Sequence, residues 1–362
     1  MKSNIIAKFA NEFCERMAFD WTEKIQKLHT LLSDARRIGI AVHTHPDGDA
    51  LGCAAAFCSF LKESLGKNCR IVLPDSAPDT LEFILEGLDP ICASADPSAA
   101  AEFLSGCDLV ACLDMNAFNR AGSLETMLKQ SKAAKILVDH HQNPDTDSFS
   151  LVFSEIEISS ASELMYRILL SLAGSGSAAL LPATCREALM LGMTTDTNNF
   201  ANSVFPSTLR MASDLLENGV DRDALLMKIY NRYPEGRMRA MGYILHEKMI
   251  ITPEGSAVIV LNKDEFKRYG LRDGDTEGFV NLPLSIDNVK LSVFLKEDNG
   301  YFRVSLRSKK GTSAATLAKT HFHGGGHELA SGGRLYFPED IPDASCAEQY
   351  AVKVTARFLQ ES

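Results

Sequence analysis

Residues 36–61 read RRIGIAVHTHPDGDALGCAAAFCSFL. The short apolar run Ile38–Val42 predicts a buried strand, because a continuously apolar strand suits a sheet covered on both faces. A tight turn at Gly48 follows, and Leu51–Leu61 predict a helix. Between strand and helix stand His43, His45, Asp47 and Asp49, four ligand-type side chains in seven residues. The strand-then-helix pattern recurs. CRIVLP (69–74), CDLVACLD (107–114) and KILVDHH (135–141) read as further strands, and stretches near 79–86 and 122–131 are helix-like. Such alternation predicts an α/β fold built on a parallel sheet.

Outward from this core, helical spacing marks residues 5–36, with IIAKFANEFCERM followed by WTEKIQKLHTLL. Ser160–Ala173 and Ala183–Gly192 are helical too, and the second leads into a loop, MTTDTNNF, that holds Asp196. Residues 206–248 read as helix throughout and predict a connector. Beyond them SAVIVL, KLSVFL, YFRVSL and RLYF predict strands, with helices near 313–319 and 346–360 and a loop at HFHGGGH. The expected organisation is a parallel-sheet domain over 1–205, a helical connector over 206–250 and a smaller α/β domain over 251–362.

The chain has 362 residues, 45% of them hydrophobic and 23% charged, which excludes a disordered, collagen-like or coiled-coil chain. Its net charge is −10. A protein that coats long duplex nucleic acid would normally be basic, so that partner class is not expected. A phosphorylated ligand held in a pocket remains compatible with this charge. Nine cysteines, an odd number without a CxxC pair, read as buried thiols of a reducing cytoplasm. The longest apolar stretch, ALGCAAAFCSFL, has 12 residues, too few to span a bilayer, and the charged N-terminus lacks a signal-peptide core.

Three segments distant in sequence end predicted strands with ligand-type residues: HTHPDGD (43–49), Asp114, and Asp139-His140-His141. In open α/β sheets the binding crevice lies at the carboxyl ends of the strands, so these segments are expected to converge there, with Asp196 joining them. Five carboxylates in one cleft cannot all stay ionised without cations. Divalent metal is the expected solution, and mixed imidazole and carboxylate ligands suit Mn, Fe, Co or Zn better than Ca. A lone Asp before a helix is most often a cap, and that reading fits Asp49 taken by itself.

HTHPDGDALG, the strand-ending Asp114, DHH and TTDTNNF resemble the four motifs of the DHH phosphoesterase superfamily. RSKKGTSAATLAKTHFHGGGHELASGG, toward the C-terminus, resembles the DHH-associated substrate domain. The resemblance runs from about Arg37 to Phe337 and is strongest to the standalone bacterial nano-RNase and pAp phosphatase group. It implies two manganese ions, one held by His43, Asp47 and Asp114 and one by Asp49, Asp114, His140 and Asp196, with Asp114 bridging. His45 is expected nearby without ligating, Asp139 as an orienter of a ligand imidazole, and His141 as acid or phosphate contact. In the second domain Gly324, Gly325 and Gly326 would offer backbone N–H groups as an anion cradle, with a helix starting close after them. His327 and Ser331 would face the phosphate or nucleoside, and Arg307 would pair with a phosphate. Arg120 matches a family position and reads equally as a structural ion pair. His321, His323 and the rest of the basic run 307–310 read as surface residues. Ser162 and Asn198 stand where the family commonly has Thr and Gly.

The resemblance implies hydrolysis of short oligoribonucleotides to mononucleotides and of 3′-phosphoadenosine 5′-phosphate (pAp) to AMP, in a cytoplasmic protein that pairs as a homodimer. The same residues also fit a cyclic di-AMP or linear dinucleotide phosphodiesterase. A nucleotide-binding regulator that has lost catalysis is the alternative from another class.

Overall fold

The computed structural model describes residues 21–230, 233–272 and 274–361. The helical reading of IIAKFANEFCERM lies outside them, as does Cys14. The chain divides into two compact units at Arg232 and Tyr233.

The first unit is a six-stranded, wholly parallel sheet. Its strands are β1 (Arg37–Val42), β2 (Asn68–Leu73), β3 (Ile91–Cys92), β4 (Leu109–Leu113), β5 (Ala134–Asp139) and β6 (Leu151–Ser154), in the order β3-β2-β1-β4-β5-β6. The α/β reading and the central strands are as expected; the short β3 and β6 carry too few apolar residues to stand out in sequence. The order reverses direction beside β1 and β4, a switch point where a crevice opens at the strand ends. Helices cover both faces, which is why the central strands are apolar without alternation. On one face Ile38, Ile40 and Val42 pack under α1 (Thr22–Asp34), α2 (Gly48–Ser59), α5 (Ala161–Leu172) and α6 (Ala183–Asp196). On the other, Ala41, Val110 and Cys112 meet α3 (Pro97–Ser105) and α4 (Glu125–Gln130). Two more helices, α7 (Pro206–Glu217) and α8 (Arg222–Tyr230), belong to this unit.

Helix α2 starts at Gly48, earlier than the expected Leu51, because Asp47 caps it. The Asp47 carboxylate accepts the N–H groups of Asp49 and Ala50 at 3.0 and 3.1 Å. The capping role therefore belongs to Asp47, and Asp49 sits in the first helical turn. Helix α6 likewise continues past Gly192 and ends on Asp196, so this carboxylate stands on a helix end rather than in a loop.

The second unit opens with α9 (Glu235–Tyr243) and builds a mixed six-stranded sheet, β11-β12-β10-β9-β8-β7. Its strands are β7 (Ile250–Ile251), β8 (Ser256–Leu261), β9 (Leu291–Glu297), β10 (Tyr301–Ser308), β11 (Gly325–His327) and β12 (Ala330–Tyr336). Only β8 and β9 run parallel. One face packs Val293, Leu295, Phe302, Val304 and Leu306 under α11 (Ala314–His321) and α12 (Ala347–Glu361). The other face is covered over β8 and β9 by α9, the short α10 (Lys263–Arg268) and the turn containing Phe279 and Val280.

HFHGGGH is not a loop leading to a helix. Gly325–His327 form β11, which turns directly back into β12 as an antiparallel hairpin. The glycines permit this close pairing. A Cβ on Gly326, at φ +143°, would lie 2.8 Å from the Ala330 carbonyl oxygen, and one on Gly324 would lie 2.6 Å from the Gly333 Cα.

The eight cysteines among the described residues are free thiols, six of them buried. No helix among the described residues is long and apolar enough to cross a membrane.

Candidate metal centre

The ligand-type residues of the first unit meet at the carboxyl ends of β1, β4 and β5. Three triads place their ligand atoms within 4.8 Å of one another: His43, Asp47 and Asp114; Asp49, His140 and Asp196; Asp114, His140 and His141. Asp114 belongs to two of them and follows β4 directly, in a left-handed conformation (φ +55°) that turns its side chain out of the strand's path.

Each imidazole is aimed by its other contacts. The His43 Nδ1–H donates to the Thr44 carbonyl at 2.8 Å, which turns Nε2 toward Asp114 Oδ2 (3.4 Å) and Asp47 Oδ1 (3.7 Å). His140 Nε2 lies 3.5 Å from Asp114 Oδ1, 3.7 Å from Asp196 Oδ2 and 3.8 Å from Asp49 Oδ2. His141 is held by Asp139, which accepts its ring Nδ1–H at 2.8 Å and its backbone N–H at 3.1 Å. Asp139 therefore orients His141, the neighbour of the proposed ligand His140.

Asp49 is 1% exposed, and its position depends on α5. Its Oδ2 accepts the Ala161 N–H at 2.6 Å and its Oδ1 the Ser162 N–H at 2.9 Å. A carboxylate at a helix N-terminus satisfies donors that have no partner within the helix and sits at the positive end of its dipole. Gly192 of α6 makes room for this junction, since a Cβ there would lie 2.8 Å from the Ser162 Cβ and 2.9 Å from Asp49 Oδ1. The N-terminus of α5 is itself tied down by Glu163. This buried carboxylate accepts from the Ser159 N–H and hydroxyl, the Thr208 hydroxyl and Arg167.

The carboxylates dominate the electrostatics of the cluster. Burial opposes a charged His43, but Asp114 and Asp47 outweigh it and raise the imidazole to about 10. Burial likewise opposes a charged His140, and Asp114 and Asp49 raise it to about 10. Burial lifts Asp196 to about 6 and Asp49 well above the carboxylate range, in both cases reinforced by Asp114. Burial also works against ionised Asp114, but His140 and His43 hold it below the usual range. Asp114 Oδ1 is buried with no hydrogen-bond partner. A buried carboxylate oxygen without a donor is costly unless a cation meets it. Oxygen and imidazole donors clustered around such an atom fit divalent metal, so the residues present suit the group that the motifs imply.

Several supporting residues were not visible in sequence. Asp75, after β2, accepts the His45 N–H at 2.8 Å and a short hydrogen bond from the Thr44 hydroxyl. His45 itself is exposed, at φ +52°, with its ring beside Asp75 rather than in the cluster. Asn198 is left-handed at φ +46°, a conformation that glycine and asparagine tolerate, so the departure from glycine fits the backbone. Arg120 is exposed, and its carbonyl accepts the Thr44 N–H at 2.8 Å.

The remaining expected site residues lie in the second unit. Arg307 donates to the Leu306 carbonyl at 2.9 Å, and burial lowers its guanidinium below its ordinary value. In register, Arg307 is level with Ala330, and Ala330 with His327. Ser331 is level with Leu306 and Gly326, one residue out of step and buried, on the opposite face of the sheet from Arg307.

Comparison with known proteins agrees with this geometry. The sequence matches the DHH family, N-terminal domain, over residues 37–193 and the DHHA1 domain over 255–352. A Thermus thermophilus protein named bifunctional oligoribonuclease and PAP phosphatase NrnA is 30% identical over 304 residues, covering 82% of this chain and 84% of that protein. A Bacillus subtilis protein of the same name is 25% identical over 298 residues, 81% of this chain and 88% of that one. A Streptococcus mutans protein named as a probable member of the same kind is 34% identical over 204 residues, and there the match spans 62% of the relative. The crystal structure of an exopolyphosphatase-related protein from Bacteroides fragilis superimposes with a TM-score of 0.85 at 34% identity, covering 94% of this chain and 96% of that one. With both domain types matched in order and the motif residues gathered at one sheet end, the chain belongs to the DHH family of phosphoesterases, carries a DHHA1 domain, and is a hydrolase.

Proposed function

We propose that the protein is a manganese-dependent phosphoesterase that cleaves short oligoribonucleotides to mononucleotides and releases phosphate from pAp. The observation that carries the reading is the cluster around Asp114, whose buried Oδ1 lacks a hydrogen-bond donor amid imidazoles and carboxylates. The names of the relatives supply the substrate class.

In this reading His43, Asp47 and Asp114 hold one cation, and Asp49, Asp114, His140 and Asp196 hold the other. Bound cations at such a site lower the pKa of water and offset charge building on phosphoryl oxygens. The chain's own residues do the rest. Asp49 and Asp114 are buried and keep fixed positions, so little reorganisation is needed as charge develops. Asp139 takes the His141 Nδ1–H and so stabilises the imidazolium form, in which Nε2 carries the second proton and passes it to the leaving ribose oxygen, returning the ring to its neutral state. In the DHHA1 domain Arg307 pairs with a substrate phosphate, and the backbone of Gly324, Gly325, Gly326 and His327 offers further contacts to the same ligand, whereas Ser331, buried on the opposite face of the sheet, supports the hairpin that carries them. Arg120 makes a further phosphate contact. A net charge of −10 suits a ligand with few phosphates.

The test is incubation of the purified protein and manganese with 5′-labelled RNA of two to five nucleotides, with pAp and cyclic di-AMP in parallel. Mononucleotides from the linear RNA and AMP from pAp are expected. A metal-loaded protein that yields no mononucleotide, or that prefers cyclic di-AMP, overturns the proposal.

A further inference from the structure

The second sheet has one uncovered area. Helix α9, helix α10 and the Phe279 turn cover β8 and β9 and the turn also reaches β10, but Tyr301 and Arg303 of β10 and Gly332, Arg334 and Tyr336 of β12 remain half or fully open to solvent on the same face. The register of those strands builds rows. Tyr301 stands opposite Tyr336, Arg303 opposite Arg334 and Ser305 opposite Gly332, and Arg307 stands opposite Ala330. Lys296 of β9 continues the arginine row beside Arg303, with its ammonium 5.1 Å over the Phe266 ring.

The two tyrosine rings lie 5.8 Å apart, the Arg334 guanidinium sits 5.1 Å over the Tyr301 ring, and His323 packs edge-on to Tyr336 at 5.5 Å. The acids of this area are already engaged. Asp298 accepts from Arg303 at 3.0 Å and from the Tyr301 hydroxyl at 3.1 Å, while Asp340 accepts from His323 and from the Tyr336 N–H, each at 2.8 Å. In a chain of net charge −10, this face combines three arginines and a lysine with two half-exposed tyrosines.

Aromatic rings interleaved with cations on an open sheet are the physical requirement for holding single-stranded nucleic acid, because every base has a face to stack and every linkage a phosphate to pair. From Arg307 to Tyr301 is six residues along β10, about 20 Å. Two nucleotides do not span that distance; an extended strand of four or five does. We propose that the β10–β12 face, with Tyr301, Tyr336, Arg303 and Arg334, is a binding track for the part of a short RNA that extends beyond the nucleotides held near Arg307. The inference rests on the proposed function for its substrate class, and it assigns to this face the reading of substrate length.

The experiment compares kcat/KM of the full chain with manganese on RNA of two and of five nucleotides. Tyr301→Ala combined with Tyr336→Ala should lower the pentanucleotide value by about tenfold or more, mainly through KM, and the dinucleotide value by much less. The Tyr→Phe pair, which keeps the rings, should restore it. Arg303→Ala and Arg334→Ala should each flatten the salt dependence of pentanucleotide binding by about 0.7 in log–log slope. An unchanged pentanucleotide value, or an equal loss on both lengths, overturns the track. If the unmodified protein turns over no RNA, the proposed function fails by itself. Binding of labelled pentanucleotide to the metal-free protein, weakened or not by the tyrosine changes, then decides the track separately.

Discussion

The strand ends of the first sheet and the open face of the second handle charge in opposite ways. At the first, the acids are buried: Asp49 is 1% exposed, Asp114 2% and Asp139 0%. Backbone N–H groups or imidazoles hold each one, and the carboxylates around them outweigh burial and raise His43 and His140 to about 10. At the second, Arg303 and Arg334 are exposed beside half-exposed tyrosines. A buried, over-determined cluster fixes the position of small ions to within tenths of an ångström, as catalysis on a single bond requires. An exposed aromatic and cationic face accepts any base and any register. Changes at the first should therefore abolish chemistry, and changes at the second should only re-rank substrates.

The strongest way to break that contrast is at Asp114. Replacing it by Ala removes the side chain common to two of the triads and takes from His43 and His140 their nearest carboxylate. We expect turnover to fall by about a thousandfold or more and metal content to drop with it. Elemental analysis beside kcat on pAp checks this, and an active, metal-replete Asp114→Ala protein would remove the cluster from the mechanism.

The next effect is on stability. Burial opposes the Glu163 charge, but the hydroxyls of Ser159, Ser207 and Thr208 and the Arg167 guanidinium outweigh it and hold the group below its ordinary 4.5. A carboxylate depressed on folding stabilises the protein above its unfolded pKa, and that contribution is lost as pH falls through 4.5 toward the folded value. Glu163→Gln should destabilise the first unit by about 3 kcal/mol at neutral pH, because it removes the carboxylate charge that the buried Arg167 guanidinium meets at 2.8 Å. The gap between the two proteins should close below pH 4.5, which urea titrations at several pH values would reveal. A gap that stays constant with pH would mean that Glu163 acts through shape, not charge.

Asp139 carries a smaller expectation. Asp139→Asn keeps the volume but removes the anion that orients His141 through Nδ1. Partners of this kind are worth about 10–100-fold. The loss should fall on kcat, with KM near its original value, and it should leave the length preference of RNA substrates unchanged. A matching loss in KM would place His141 in substrate binding instead of proton transfer.

What the sequence revealed about this architecture follows from where its signals are local. Ile38–Val42 and the runs ending at Asp114 and Asp139 are apolar throughout, and ligand-type residues follow at once, so strand, strand end and cluster could all be read. The anchoring of Asp49 could not, because its partners Ala161 and Ser162 lie 112 and 113 residues away and offer backbone N–H groups that no residue type announces. The cap reading fitted Asp49 in sequence, whereas the structure gives the cap to Asp47, because α5 claims the Asp49 carboxylate. The triple glycine misled for a related reason. Backbone freedom suits an anion loop and a close hairpin equally, and the pairing of Gly326 with Ser331 decides between them. The Tyr301–Tyr336 and Arg303–Arg334 rows depend on register, which a strand pattern alone does not set.

Asp75 makes the contrast sharpest at the lowest cost to the fold. It lies outside all three triads around Asp114, His140 and His43, yet its carboxylate accepts from both Thr44 and His45, the residues that follow His43, a proposed ligand. Burial raises its pKa, but the Thr44 hydroxyl and the His45 N–H outweigh this and keep the group ionised below its usual range. The Thr44 carbonyl also takes the His43 Nδ1–H, so Asp75 steadies the segment that aims His43 Nε2. Hydrogen bonds to a charged group contribute about 1.5–3 kcal/mol, and this carboxylate is partly open to water, so Asp75→Ala should weaken metal binding by about tenfold and Asp75→Asn by less. At saturating manganese both variants should recover most of their turnover, unlike Asp114→Ala. Metal titrations followed by activity test this directly: a variant that stays inactive at high metal would show that the segment also positions substrate, and an unchanged metal affinity would show that His43 is aimed without it.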